Sequence, residues 1–164
     1  MREKHSCIFT YAGCLRKKIL LIDFQKEKLN ICLVSAPYYK DIADDLIKGA
    51  LNVLKKINAD TKIVEVSGAL EIPTAIKLME NKFDGFIAIG CVIRGETTHY
   101  EIVSTESSRG LIQLGLEKIC IGNAILTVEN RIQAQKRANP KIFDKGGEAC
   151  RALLGLLKIK ERSN

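Results

Sequence analysis

Apolar runs alternate with amphipathic stretches along most of this chain. The apolar run from Leu29 to Ala36 ends at Pro37, which is the pattern of a strand buried on both faces. From Tyr39 to Ile57, apolar side chains follow the spacing of a single helical stripe, with aspartates near its start and lysines near its end, as the helix dipole favours. These two segments predict a strand followed by a helix.

The same alternation repeats three more times toward the C-terminus. It predicts strands over 61–66, 85–93 and 119–126, and helices over 72–80, 100–116, 129–138 and 144–158. Four strands that each precede a helix imply a parallel sheet covered by helices on both faces. The predicted fold is therefore α/β, a three-layer α/β/α sandwich around a four-stranded parallel sheet. Lys18 to Ile22 is a candidate for an additional short N-terminal strand.

Length and composition indicate one folded domain that follows an extension. A chain of 164 residues has the length of one domain, and a hydrophobic content of 46% excludes a disordered chain. No Gly-, Ser- or Pro-rich linker divides the sequence. We assign residues 1–28 to an N-terminal extension and residues 29–164 to a single domain.

The basic excess is concentrated near the N-terminus. The formal charge is +7, and residues 1–30 carry seven Lys and Arg against three Asp and Glu, whereas the other 134 residues carry 19 against 16. A nearly neutral remainder without Trp argues against a nucleic-acid partner. The longest apolar stretches, such as 86–93, reach about half of the roughly 20 residues that span a bilayer, so no membrane partner is expected either.

The six cysteines lack the spacing of a zinc site. No C-x-x-C pair occurs, and Cys32, Cys91 and Cys120 lie within apolar runs, where a free thiol acts as a small hydrophobe. Reduced cysteines predict a cytoplasmic protein. The segment 11–14 is faintly similar to a lipoprotein signal, but three basic residues follow at 16–18, which favours a plain extension.

The loops after the predicted strands are the expected place for a ligand, because open parallel sheets bind ligands beyond the carboxyl ends of their strands. The loop after the third strand contains Thr97, Thr98 and His99 at a predicted helix start. The two hydroxyls and the first helical N–H groups form a candidate phosphate seat. His99 is the residue type that exchanges protons near neutral pH, although a lone histidine at a helix end is more often an ordinary polar residue.

Other polar residues near the strand ends have two interpretations each. Glu71 begins a predicted helix, which is a favourable position for any carboxylate. Arg137 and Lys145 either meet a phosphate or are surface charges, and Tyr38 and Tyr39 either stack on a planar ring or pack a loop. The sequence contains no dinucleotide, nucleoside-triphosphate or hydrolase fingerprint, so a bound phosphate would belong to a small substrate.

Four segments of the sequence resemble the lumazine synthases. They are Gly68–Pro73, Gly90–Tyr100, Ile125–Asn130 with Gln133-Ala134 and Arg137-Ala138 after it, and Lys145-Gly146 with Glu148-Ala149. The resemblance runs in order from about Leu29 to Leu157, and the eleven-residue segment that contains His99 is too specific for chance agreement. It leaves residues 1 to about 28 uncovered.

The resemblance implies a flavodoxin-like fold and the penultimate step of riboflavin biosynthesis. In that step, 5-amino-6-(D-ribitylamino)uracil condenses with 3,4-dihydroxy-2-butanone 4-phosphate to give 6,7-dimethyl-8-ribityllumazine, phosphate and water. An imine is thought to form first, phosphate then leaves, and the ring closes. No metal or organic cofactor takes part in the family. Its members are homopentamers with sites between neighbouring subunits, and some build hollow shells of twelve pentamers.

The resemblance also implies roles for individual residues. His99 matches the proton-transfer residue, and the expected substrate-binding residues are Tyr38, Ala69, Leu70, Glu71, Val92, Ile93, Glu96, Thr97, Asn123, Arg137 and Lys145. Tyr38 would stack on the pyrimidine ring, with Val92 and Ile93 lining its pocket. The segment 69–71 would bind the ribityl chain and the ring edge. Glu96 and Thr97 would line the phosphate end of the site. Arg137 would pair with the phosphate, and Lys145 matches a family lysine of the same phosphate region. Asn123 lies where a neighbouring subunit closes over the ring.

Three positions depart from the usual family pattern. Pro37-Tyr38-Tyr39 replaces an Arg-Phe-Asn type of loop, so either tyrosine could stack on the ring. Leu70 stands where phenylalanine is frequent in the family, and Asn123 stands where some members have phenylalanine. Two alternatives to the enzyme remain: a flavin- or lumazine-binding protein without turnover, and a shell-forming protein. The phosphate-end residues favour the enzyme, since neither alternative needs them.

Overall fold

A computed structural model describes residues 28–163 of the chain. Four strands alternate with five helices in the order β1 Leu29–Ser35, α1 Lys40–Leu54, β2 Ala59–Glu65, α2 Glu71–Leu78, β3 Gly85–Ile93, α3 His99–Leu116, β4 Ile121–Val128, α4 Arg131–Ala138 and α5 Lys145–Arg162. All neighbouring strands are parallel, and their order across the sheet is β2-β1-β3-β4. The predicted three-layer α/β/α fold with a four-stranded parallel sheet is confirmed.

The two central strands, β1 and β3, are buried on both faces. On one face, Leu33 and Ile87 pack with side chains of α1, α4 and α5. On the other face, Val34 and Phe86 pack with side chains of α2 and α3. Each such aliphatic or aromatic side chain contributes roughly 1.5–3 kcal/mol when fully buried. The central strands therefore form a rigid base for the loops at their carboxyl ends.

The edge strand β2 differs from this pattern. It begins two residues earlier than the sequence pattern indicates, and most of its side chains are exposed, including Ile63 at 44%. Its position explains the difference, because β2 lies at the edge of the sheet beside β1, and most of its residues are polar: Asp60, Thr61, Lys62 and Glu65. The side chains of the sheet are consequently less buried at this edge than in the central strands.

The other edge strand, β4, begins two residues later than the sequence pattern indicates. Lys118 adopts a left-handed conformation with φ of 68°, and the Ile119 N–H donates to the Leu114 carbonyl oxygen at 3.1 Å. This turn ends α3 and delays the strand. The strand then extends to Val128, which pairs with Ile93 of β3.

Helix α5 packs unusually close to its neighbours through glycines. A Cβ on Gly146 would lie 1.9 Å from the Leu46 carbonyl oxygen in α1, and one on Gly122 would lie 2.1 Å from the Ala149 carbonyl oxygen. The helix begins after Asp144, whose carboxylate accepts the Gly147 N–H at 3.1 Å. These contacts fix the position of Lys145, its first residue.

Several sequence-based expectations concern residues outside the described range. The candidate strand Lys18 to Ile22, the cysteines at 7 and 14, and residues 1–27 of the extension belong to this group. Within the described range, Cys32, Cys91 and Cys120 are free and buried, as expected for thiols in apolar runs, and Cys150 on α5 is free and buried as well. Among residues 28–163, no helix is long and apolar enough to cross a membrane.

Candidate active site

A cleft of about 490 Å³ opens where β1, β2 and β3 end. It is lined by the three loops that follow these strands and by the first turns of α2 and α3. Eight of the residues singled out from the sequence line it: Tyr38, Ala69, Leu70, Glu71, Val92, Ile93, Thr97 and His99. The cleft thus lies at the sheet edge where open parallel sheets bind ligands.

The first wall of the cleft is formed by two tyrosines. Tyr38 is 77% exposed, and its ring meets that of Tyr39 edge to face, with centroids 5.0 Å apart. Tyr39 packs against the core below β1, and the Arg131 guanidinium lies 5.8 Å from its ring centroid. Tyr39 is therefore anchored, whereas the Tyr38 ring is largely exposed at the cleft.

The second wall is formed by the turn between β2 and α2. The Glu71 N–H donates to the Gly68 carbonyl oxygen at 3.3 Å, and the Glu71 Oε2 atom lies 3.0 Å from where a Cβ on Gly68 would be. The missing side chain lets the carboxylate fold back over the turn. Ala69 is buried, whereas Leu70 and Glu71 are exposed to the cleft. This wall combines an apolar surface with a carboxylate that can accept hydrogen bonds.

The third wall leads from β3 into α3. His99 is the first residue of α3 and is exposed, and its N–H donates weakly to the Thr97 Oγ1 atom at 3.4 Å. The N-cap residue, Thr98, makes no side-chain cap hydrogen bond. The Thr98 side chain therefore does not compete with an anion for the N–H groups of the first turn beside His99.

Arg94, for which the sequence predicts no role, connects this loop to helix α3, to strand β4 and to Glu129, which follows β4. Its Nε donates to the Glu129 Oε2 atom at 2.7 Å, its Nη1 donates to Glu101, and its guanidinium lies 4.1 Å from the Tyr100 ring centroid. The Arg94 N–H also donates to the Val128 carbonyl oxygen at 2.9 Å. The hydrogen bond from Arg94 lowers the pKa of the Glu101 carboxyl below its ordinary value.

A buried thiol forms part of the cleft floor. Cys91 lines the cleft near the end of β3, and burial raises its pKa to about 11. The thiol therefore stays protonated at neutral pH. We interpret it as part of the apolar lining rather than as a nucleophile.

Four other expected site residues do not line the cleft. Glu96 is exposed in the loop before α3. Arg137 lies near the end of α4, where its Nη1 donates to the Gln133 carbonyl oxygen at 3.2 Å. Lys145 begins α5 and donates to Glu148 at 2.5 Å. Asn123 lies on β4 and its Oδ1 accepts the Ile125 N–H at 2.8 Å.

Asn123 lines a second, mostly apolar groove of about 640 Å³ between α3, α5 and the edge of β4. Three side chains of this groove are strongly exposed: Leu116 at 82%, Ile112 at 64% and Ile159 at 62%. Within residues 28–163, no three His, Cys, Asp or Glu side chains lie close enough together to hold a metal ion.

Comparisons with known proteins agree on one family. The family model described as 6,7-dimethyl-8-ribityllumazine synthase matches residues 28–161. A protein of that name from Novosphingobium aromaticivorans is 50% identical over 132 residues, which cover 79% of this chain and 95% of that protein. A Bartonella henselae protein of the same name is 47% identical over 141 residues, covering 83% and 91%. One from Jannaschia sp. is 45% identical over 150 residues, covering 90% and 84%.

Proposed function

The chain belongs to the 6,7-dimethyl-8-ribityllumazine synthase family, and from that premise we propose how its residues perform the reaction. The protein is an enzyme of riboflavin biosynthesis, a transferase that condenses 5-amino-6-(D-ribitylamino)uracil with 3,4-dihydroxy-2-butanone 4-phosphate. The observation that carries the residue assignments is the cleft, because eight residues expected from the family motifs share it.

The pyrimidine substrate binds between the first and second walls of the cleft. The exposed Tyr38 ring stacks on the pyrimidine ring, and Val92, Ile93 and Leu70 supply the apolar surround. Ala69 and Glu71 border the ring edge and the ribityl chain. The Glu71 carboxylate, exposed beside Gly68, accepts hydrogen bonds from ribityl hydroxyls.

The phosphate substrate binds against the third wall. The Thr97 hydroxyl and the N–H groups at the start of α3, which the Thr98 side chain does not cap, supply neutral donors for a phosphate, and Glu96 borders the same end. His99 moves the proton when the amine adds to the ketone and when water leaves. Proton transfer of this kind contributes about 10²–10⁴-fold, and the remaining acceleration comes from holding the two substrates together.

A second copy of the chain completes the site. Arg137, Lys145 and Asn123 do not line the cleft of their own chain, although the family motifs assign them to the substrate site. The exposed apolar side chains of the groove around Asn123 support contact with another copy. The proposed assembly is a homopentamer in which the Arg137 guanidinium of one copy pairs with phosphate in the cleft of its neighbour.

Two further assignments accompany this proposal. The family match over 28–161 supports a single domain at residues 29–164 after an extension at 1–28. The four free thiols of the described residues support a cytoplasmic location.

The test compares the wild-type protein with a His99→Ala, Arg137→Ala double variant in a lumazine fluorescence assay. The wild-type protein should form lumazine far above the spontaneous rate, and the double variant should be slower by about three orders of magnitude or more, since it lacks proton transfer and a charge-assisted phosphate contact. A wild-type protein that binds riboflavin or lumazine but forms no product would instead be a binding protein without turnover.

A further inference from the structure

We propose that Arg94 is a positioning residue for His99, a role that rests on the proposed function of His99. Its guanidinium braces the loop 95–98 and the start of α3 against the end of β4. Arg94 lines no part of the cleft, so it acts on the reaction through the residues that it holds.

The guanidinium is suited to this role because it engages two elements at once. Its Nε atom is committed to Glu129, which follows β4, and its Nη1 atom to Glu101, in the first turn of α3. Its face covers the ring of Tyr100, the residue after His99 and a lining residue of the cleft. A lysine ammonium is a point charge on a flexible stem and lacks this planar geometry.

The loop that Arg94 holds has little packing of its own. A Cβ placed on Gly95 would have no atom within 4 Å, and residues 95–99 are all exposed. Thr98 does not cap α3 with its side chain, and the Thr97 hydrogen bond to the His99 N–H is long at 3.4 Å. The position of His99 therefore depends strongly on contacts from outside the loop.

The brace also reaches the helix that carries Arg137. The Glu129 N–H donates to the Gln133 Oε1 atom at 3.1 Å, and the Gln133 N–H donates to Asn130 at 3.0 Å, which caps α4. Glu129 is thus tied to the first turn of α4 while it accepts from Arg94. The same ion pair fixes the α3 start relative to α4.

The test is Arg94→Gln, with Arg109→Gln as a matched control. Arg109 is also an exposed arginine paired with a glutamate, but its partner, Glu106, lies on the same helix, and neither residue lines the cleft. Arg94→Gln should lower kcat about tenfold with riboflavin affinity unchanged, and Arg109→Gln should leave both unchanged. In a His99→Ala background, Arg94→Gln should lower kcat by less than about twofold, because the brace acts through His99.

If Arg94 had a purely structural role, Arg94→Gln would lower kcat by the same factor in the wild-type and His99→Ala backgrounds, and that result would overturn the proposal. Equal kcat values in Arg94→Gln and Arg109→Gln would overturn it as well. Backbone amide exchange gives a readout without turnover. Exchange at Arg94 and Ile102, whose N–H groups donate to the carbonyl oxygens of Val128 and Thr98, should rise at least about tenfold in Arg94→Gln and not in Arg109→Gln. If the wild-type protein made no lumazine, the proposed function would fail. Unchanged amide exchange in Arg94→Gln would instead refute the positioning role of Arg94, whatever the activity.

Discussion

The loops after β1, β2 and β3 and the outer surface of β4, α4 and α5 carry their candidate residues in different ways. The loop residues converge on one cleft, because the carboxyl ends of adjacent parallel strands lie side by side. Asn123, Arg137 and Lys145 instead lie on a strand edge, a helix end and a helix start, and each is held by a local hydrogen bond.

The comparison supports the proposal that one chain supplies only part of the site. The cleft offers a ring wall, a carboxylate and a proton-transfer residue, but no arginine or lysine among its lining residues. A dianionic phosphate is bound poorly by neutral donors alone, so the proposed phosphate site needs a cation from outside this cleft lining. The outer surface carries such a cation, Arg137, in an orientation fixed by α4.

Mixing two impaired variants is the most direct test of this division. Co-expressed His99→Ala and Arg137→Ala chains should regain activity, because a site between two copies can take His99 from one chain and Arg137 from the other. Random assembly would restore about a quarter of the sites, whereas either variant alone should have at most about a tenth of the wild-type rate at butanone phosphate concentrations far below KM. Lumazine formation by the purified mixed oligomer is the measurement.

A matched mixture serves as the control. His99→Ala and Glu71→Ala both remove residues of the same cleft, so no combination of these chains rebuilds a complete site. Recovery in this second mixture, or none in the first, would contradict a site that is divided between copies in this way.

Replacing Arg137 alone tests whether this residue binds the phosphate substrate and not the pyrimidine substrate. Arg137→Ala should raise the KM for the butanone phosphate about 10- to 100-fold, the cost of roughly 1.5–3 kcal/mol for a charge-assisted contact made equally in ground and transition states. The KM for the pyrimidine substrate should stay within about twofold. Steady-state kinetics with each substrate varied in turn gives both values.

Lys136→Ala is the matched control, since Lys136 is an exposed cation on the same turn of α4. It should change neither KM by more than about twofold. A comparable rise in the two variants would point to the general positive field of α4 instead of a specific contact.

The fold and the location of the cleft could be predicted because both depend on local patterns. The apolar run of β3 predicts its bounds to the residue, and the rule for parallel sheets leads from the strand ends to the cleft. The exposed face of β2 was less predictable, because β2 becomes an edge strand through the order of the whole sheet. Hydrophobic spacing does not specify that order.

The contacts around Arg94 could not be predicted for a related reason. Glu129 is 35 residues away in sequence and meets Arg94 because β3 and β4 pair in a register that brings their ends together. A motif identifies the residue types near His99, but it does not say which distant side chain holds them. Tertiary pairing therefore decides the supporting contacts.

Variants of the two tyrosines of the first wall should change riboflavin binding only modestly, and they test which ring stacks on the substrate. Tyr38→Ala should weaken riboflavin binding about 2- to 10-fold, the loss of roughly 0.5–1.5 kcal/mol of ring stacking, whereas Tyr38→Phe should bind like the wild-type protein. Tyr39→Ala should act mainly on folding, because its ring packs against the core and lies near Arg131. We expect it to lower the free energy of unfolding by about 1–3 kcal/mol. Fluorescence titration with riboflavin and urea unfolding separate the two effects, and a larger loss of binding in Tyr39→Ala than in Tyr38→Ala would assign the stacking ring to Tyr39.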